Sequence, residues 1–189
     1  DLHYPLRRQR QMCIRDRGLL ATRWQGARCI RWRGYRDGLD GVVKDVKNIF
    51  RNVERRLRAS RWFEDEWEIY NRGNYLQLAK SNWCNGSQGG VHFETYIEAP
   101  QLKKKAFPIC MHAEEDCPSQ AKFIEDFLML ERARIGAWKG YQVTGDGYSI
   151  CQRELPLNFK NLEERLLDEL NRLRQLESSV DRVLTGLTA

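Results

Sequence analysis

Between residues 41 and 61 the apolar positions fall at steps of three and four. Val42, Val43, Val46, Ile49, Phe50, Val53 and Leu57 share one face, the period of an amphipathic helix. Lys44, Lys47, Arg51, Arg55 and Arg58 recur at similar steps and form a second, basic stripe. The acidic and aromatic FEDEWEIY that follows turns the chain and leads toward a strand. Beyond it the period changes to two. NYLQLAKSNW (74–83) alternates as a strand, and CNGSQGG (84–90) is a loop of turn formers. VHFETYIEA (91–99) alternates strictly, with Val91, Phe93, Thr95 and Ile97 on one side and His92, Glu94, Tyr96 and Glu98 on the other. After PQLKKK, AFPICMHAE (106–114) predicts a third strand. Pro108 inside it predicts an edge position or a bulge.

The helical period returns in DCPSQAKFIEDFLMLERARIGAW (116–138), where Phe123, Phe127 and Leu130 form the apolar face with Ile124 and Leu128 beside them. Pro118 and Ser119 mark its start. YQVTGDGYSICQREL (141–155) has two strand-like arms around Gly145-Asp146-Gly147. From Asn158 or Asn161 to Leu184 the pattern predicts one long amphipathic helix. Its stripe is Phe159, Leu162, Leu166, Leu170, Leu173, Leu176, Val180 and Val183, and Asn161 with Glu164 resembles a capping box. The predicted order is α-β-β-β-α-β-β-α. Strands are clustered, not alternated with helices. The expected fold class is therefore α+β, an antiparallel sheet of four to five strands with three helices.

Charge changes this picture only at the N-terminal end. The chain of 189 residues carries a formal +6 and a pI near 9.1, which taken alone would suggest a polyanion partner. Residues 1–40 hold ten basic and four acidic residues of the chain's 32 and 26, which leaves 22 of each in 41–189. The domain is thus neutral overall. The basic leader RRQRQMCIRDR (7–17) has no apolar period, no cap pattern and no turn chemistry. Its codons can be written as the adapter of transposase-based short-read libraries. Asp1-Leu2-His3 fit the usual flank, and Tyr4-Pro5-Leu6 would cover a sample index. Residues 1–17 are expected to be translated sequencing adapter and are set aside from fold reasoning. On that expectation the native start is missing, and 41–189 forms a single domain at the C-terminal end of a longer protein. Residues 18–40, rich in Arg, Trp and Gly, are expected to be poorly ordered.

About 150 residues suit one domain with a sizeable core. No apolar run is long enough to span a bilayer, so no membrane partner is expected. Cys84, Cys110, Cys117 and Cys151 show no CxxC pairing. They are expected to be reduced, buried thiols of a cytoplasmic protein.

The chemistry-bearing pattern is a pair of H-x-E units, His92-Phe93-Glu94 and His112-Ala113-Glu114. A period of two puts each His and Glu on one strand face. If the two strands pair antiparallel, His92, Glu94, His112 and Glu114 converge. Two imidazoles and two carboxylates can hold a divalent metal and lower the pKa of a water beside it. The bland alternative is a solvated face of cross-strand pairs. A second metal set, Cys110, His112 and Cys117 with Cys84 or Cys151, matches no common zinc spacing. The chain has no P-loop, no GxSxG and no dinucleotide glycine fingerprint. Glu94, Glu98 and Glu154 each lack the Lys two residues on that restriction-type nucleases carry. No cofactor is expected apart from a divalent metal.

Three functions follow. The first expectation is a non-catalytic accessory or interaction module, meeting a protein partner or an upstream domain through the segments around Trp62, Trp67 and Trp83. The second is a metal-dependent hydrolase or nuclease-like enzyme using the His/Glu patch. The third is a nucleic-acid-binding module using the basic stripe of the first helix.

Overall fold

The computed structural model describes residues 33–83, 90–117 and 119–188. The 1–17 leader, residues 18–32, most of the CNGSQGG loop and Pro118 lie outside them. Val42–Ala189 form one compact unit. The described elements are α1 (Arg33–Arg58), of which the part from Val42 on belongs to this unit, β1 (Trp67–Asn71), β2 (Tyr75–Lys80), β3 (Val91–Tyr96), α2 (Ala99–Lys104), β4 (Ala106–Ala113), α3 (Gln120–Ala137), β5 (Gln142–Asp146), β6 (Ser149–Pro156), α4 (Leu162–Arg174) and α5 (Glu177–Thr188). The architecture is α+β. A single antiparallel sheet of six strands runs in the order β1-β2-β3-β4-β6-β5.

Four departures from the sequence pattern have local causes. α1 begins at Arg33, ahead of Gly41, so residues 33–40 are helical where no order was expected. WEIYN completes a strand of its own, because Trp67↔Lys80 through Asn71↔Leu76 give β1 a full antiparallel partner. PQLKK lies within the short helix α2, with Lys105 as its C-cap, and the Gln101 side chain accepts from the Glu98 N–H at 3.2 Å. The single C-terminal helix is two. The N–H groups of Gln175 and Leu176 reach back three residues, to Arg172 and Leu173, and tighten the chain between α4 and α5. Leu176 remains fully buried across the break, so the apolar stripe continues and hides it.

Pro108 lies in β4, a central strand, and not at an edge. The reason it is tolerated is visible in the register. The β3 ladder on β4 ends at Thr95↔Ile109. A strand residue presents its N and C=O on the same side. The Pro108 carbonyl faces β3, accepting from the Thr95 hydroxyl at 2.8 Å. The missing N–H therefore points where no ladder bond remains to be made. At α3, Ser119 occupies the cap position but in a left-handed conformation (φ 49°) with no side-chain capping bond.

The sheet's apolar face carries Leu76, Leu78, Val91, Phe93, Phe107, Ile109 and Met111, all fully buried. Val46, Phe50, Val53 and Leu57 of α1 join this core, as do Phe123 and Phe127 of α3 and Leu166, Leu170 and Leu173 of α4. The tryptophans expected as a contact surface belong to it too. Trp67 and Trp83 are 4% and 1% exposed. Trp62 is half-buried and donates to Asn171 Oδ1 at 3.1 Å. Rings of Trp62, Trp67, Trp83 and Phe93 follow edge to face at 5.3, 5.2 and 5.5 Å. Large aromatic area is removed from water in the fold itself, so Trp67 and Trp83 offer no exposed anchor to a partner. No described helix is long and apolar enough to cross a membrane.

Candidate metal centre

The opposite face of the sheet is built by the alternate positions of the same strands. In β3 these are His92, Glu94 and Tyr96; in β4, Cys110 and His112, with Glu114 just beyond; in β2, Tyr75 and Gln77. Register decides which of them meet. His92 stands directly across from His112, Glu94 across from Cys110, and Gln77 across from Glu94. Glu94 is thereby placed diagonally to His112 and two residues along from His92.

His92, Glu94 and His112 converge, with their ligand atoms all within 4.8 Å of one another. Glu94 Oε2 lies 3.3 Å from His92 Nε2, and Glu94 Oε1 lies 3.3 Å from His112 Nδ1. An ion held tetrahedrally at ~2.0–2.1 Å separates its ligand atoms by about 3.3 Å. Each imidazole stands at that distance from the Glu94 carboxylate, through a different one of its two oxygens. Glu114, expected as a fourth member, stands beside the trio, 3.9 Å from His92 Nε2 and partly exposed. It ends β4 past the last paired residue, which places it at the rim. Among the described residues this trio is the one group of three or more such side chains within reach of a single ion. The cysteine set does not assemble. Cys110 and Cys151 are buried free thiols, Cys117 is buried as well, and Cys84 lies outside the described residues.

The trio is 2%, 6% and 8% exposed, and that burial sets its protonation. Burial alone would raise the Glu94 carboxyl. The hydrogen bond to His92, the fields of His112 and His92, and the Tyr75 hydroxyl donating at 2.7 Å overcome it and bring the pKa down to about 2. Burial lowers the His112 imidazole to about 4, against the pull of Glu94. At neutral pH the trio therefore offers an ionised carboxylate and a neutral imidazole at His112, the forms that bind metal. Around it five further groups are pushed toward their protonated form, by burial first and then by neighbouring charges, Glu94 among them. The Cys110 thiol is raised well above its ordinary value, Tyr96 is pushed up to about 12, and Tyr75, Tyr148 and Glu114 are raised. A thiol so raised is no nucleophile. Among the described residues no Lys or Arg pairs with Glu94 or Glu114. Each described Lys or Arg ion pair goes to another carboxylate.

Sequence periodicity found the two H-x-E units but missed what surrounds them. Tyr75 orients the Glu94 carboxylate. Gln77 Nε2 lies 3.0 Å from His92 Nε2. The Tyr148 ring meets His112 edge to face at 4.8 Å. The polar alternation of NYLQLAK signalled Tyr75 and Gln77, but only the β2–β3 register joins them to His92 and Glu94. Tyr148 comes from the β5–β6 turn and carried no signal.

The other predicted site keeps its geometry. Lys44, Lys47, Arg51, Arg55 and Arg58 are all exposed on α1. Only Arg58 makes an ion pair with a described residue, to Glu54 at 3.0 Å.

No protein-family model matches the chain, and neither does any curated protein or any solved structure. The class that fold and cluster define rests on this chain alone. It is an antiparallel α+β domain with a buried two-histidine, one-carboxylate cluster.

Proposed function

We propose that the domain binds a divalent transition-metal ion through His92, Glu94 and His112 and uses it for hydrolysis, with Glu114 as the neighbouring carboxylate. One observation carries the reading. A buried, ionised carboxylate stands between two imidazoles at ligand spacing with no Lys or Arg counter-ion among the described residues. Imidazole with carboxylate suits zinc-class ions better than calcium or magnesium. Tyr75 supports the ligand set from behind by fixing the carboxylate. Bound there, the ion would supply a Lewis acid and lower the pKa of a water at a position left open by three protein ligands.

The test is calorimetry of the full chain with and without zinc, with metal content measured on the purified protein. Zinc at ~100 times its Kd adds about 2.7 kcal/mol of stability. A chelator reverses the gain, and the His92→Ala/His112→Ala double variant never shows it. A wild-type melting curve that zinc does not move, together with metal-free purified protein, removes the proposal. Hydrolysis is read separately, as metal-dependent turnover of chromogenic phosphodiesters and carboxylic esters that the double variant lacks.

A further inference from the structure

The basic stripe of α1 is not consumed by the metal centre, and the fold adds to it. Lys44, Lys47, Arg51, Arg55 and Arg58 occupy about 80° of the helix circumference over roughly 21 Å of its length. The buried residues Val46, Phe50, Val53 and Leu57 lie on another side of the helix. The stripe is thus turned away from the core. A surface row of cations is often no more than a solvated face, so the question is whether anything else is built beside it.

The β1–β2 turn is. Asn71 donates to the Phe50 carbonyl at 3.2 Å and to Glu54 at 2.8 Å, and its own Oδ1 accepts from the Gly73 N–H at 2.7 Å. These bonds clamp the turn onto α1. The stem of Lys47 then lies directly on Gly73, where a Cβ would come within 2.8 Å of Lys47 Cγ. Gly73 also adopts φ +87°, so no side chain is accommodated there on either count. The close approach brings Arg72, one residue earlier, beside the stripe. Arg72 is exposed, and its guanidinium carbon lies 4.9 Å from the Tyr70 ring centroid, with its Nε donating to the Tyr70 hydroxyl. The ring and its hydroxyl together hold the guanidinium at this exposed position.

Lys44, Lys47, Arg51, Arg55 and Arg72 make no ion pair with a described residue. Among the described residues the carboxylates of this part of the fold are Glu54, engaged by Arg58 and Asn71, and the exposed Asp45 and Glu68. A track of cations with no ion pair to a described residue, ending in an arginine held against an aromatic ring, matches a chain of phosphates that carries flat bases. A lipid surface would ask for apolar side chains interleaved with the cations, and the stripe has none.

We propose that the α1 stripe and Arg72 form a binding edge for single-stranded nucleic acid. Lys44, Lys47, Arg51 and Arg55 track the phosphates, and an unstacked base lies on the Arg72–Tyr70 pair. The edge is independent of the metal centre and stands or falls without it.

Fluorescence anisotropy of the full chain with a labelled oligothymidine strand, over a salt series, tests this. The leader carries Arg7, Arg8, Arg10, Arg15 and Arg17, so a variant with these five changed to Ala is measured beside the wild type. The expected result is salt-sensitive binding that survives in the leader variant. In Lys47→Ala/Arg51→Ala/Arg72→Ala it falls by about tenfold or more, with a salt slope smaller by about 2. Arg72→Lys keeps the charge and loses the plane, so it should weaken binding with the slope unchanged. All the changed domain residues are exposed, and equal melting temperatures confirm that the variants fold. Binding lost with the leader variant alone overturns the proposal. So does absence of binding at low salt, equal or tighter binding of duplex DNA, or phosphatidylserine vesicles being bound while the oligonucleotide is not.

Discussion

The two faces of β3 solve the problem of burial in opposite ways. Phe93 and Thr95 point into the helix-covered core, and His92 and Glu94 point to the other side, yet all four are almost completely buried. On the core side burial is favourable in itself, because apolar area leaves water. On the other side each buried group has to be matched by a neighbour, since an unmatched charge would be far too costly. Glu94 is matched by His92, His112 and Tyr75. Such an arrangement contributes less to stability than an apolar one of equal volume. A face that forgoes stability in favour of a poised carboxylate is where a ligand is to be sought.

Three neighbouring residues of β3 measure the difference, all by urea unfolding with a chelator present. Phe93→Ala has the largest effect. The ring is fully buried against Trp83, and its removal costs about 3–5 kcal/mol through lost transfer energy and the cavity left behind. A loss under about 1 kcal/mol would mean that this face is loosely packed and that the contrast drawn here is false.

Glu94→Gln comes second, at about 2–3 kcal/mol, because it withdraws the charge that two buried imidazoles face. Its signature is the pH profile. The folded pKa of Glu94 is depressed to about 2 from an ordinary 4.5, so its contribution is complete above 4.5 and is lost as pH falls toward 2. His112 is depressed to about 4 from 6.5, so below 6.5 the unfolded chain takes up a proton that the folded one refuses. Both effects make wild-type stability decline as pH falls from about 6.5 to 2. Glu114, raised by burial, works in the opposite sense above 4.5 and moderates the slope. The limb below pH 4.5 should flatten in Glu94→Gln. If the variant keeps the full acid limb, the carboxylate is not the group that holds this face together.

The same two faces explain what could be read in the sequence. Strict alternation in VHFETY fixes which side chains share a face, so the H-x-E units and the apolar set of β3 were both legible. Convergence of His92, Glu94 and His112 needed one more fact, the antiparallel register that sets His92 opposite His112. Periodicity carries no register, because pairing is decided by loops and by contacts between distant strands. Tyr75 and Gln77 were hidden for that reason. The tryptophans mislead for a different one. Trp62 and Trp67 sit among charged residues in sequence and Trp83 among small polar ones, and their burial comes from packing on one another and on Phe93. The break at Gln175 left the apolar period intact and so left no trace.

Thr95→Val is the smallest and most discriminating change. Thr95 is fully buried on the apolar side, and its hydroxyl donates to the Pro108 carbonyl at 2.8 Å. Valine keeps the branched shape, so no cavity opens. Only the hydrogen bond goes, and one carbonyl beside the end of the β3 ladder loses its donor. The expected cost is about 1 kcal/mol, with no change in the acid limb of the pH profile, since neither residue titrates. The contrast with Glu94→Gln then isolates charge. Both variants remove one polar partner from a buried site on the same strand, and only one of them removes the field that raises Tyr96, Cys110 and Glu114. Equal costs for the two would mean that Glu94 acts as an ordinary hydrogen-bond acceptor, and the case for a cation at its side would lose its electrostatic basis.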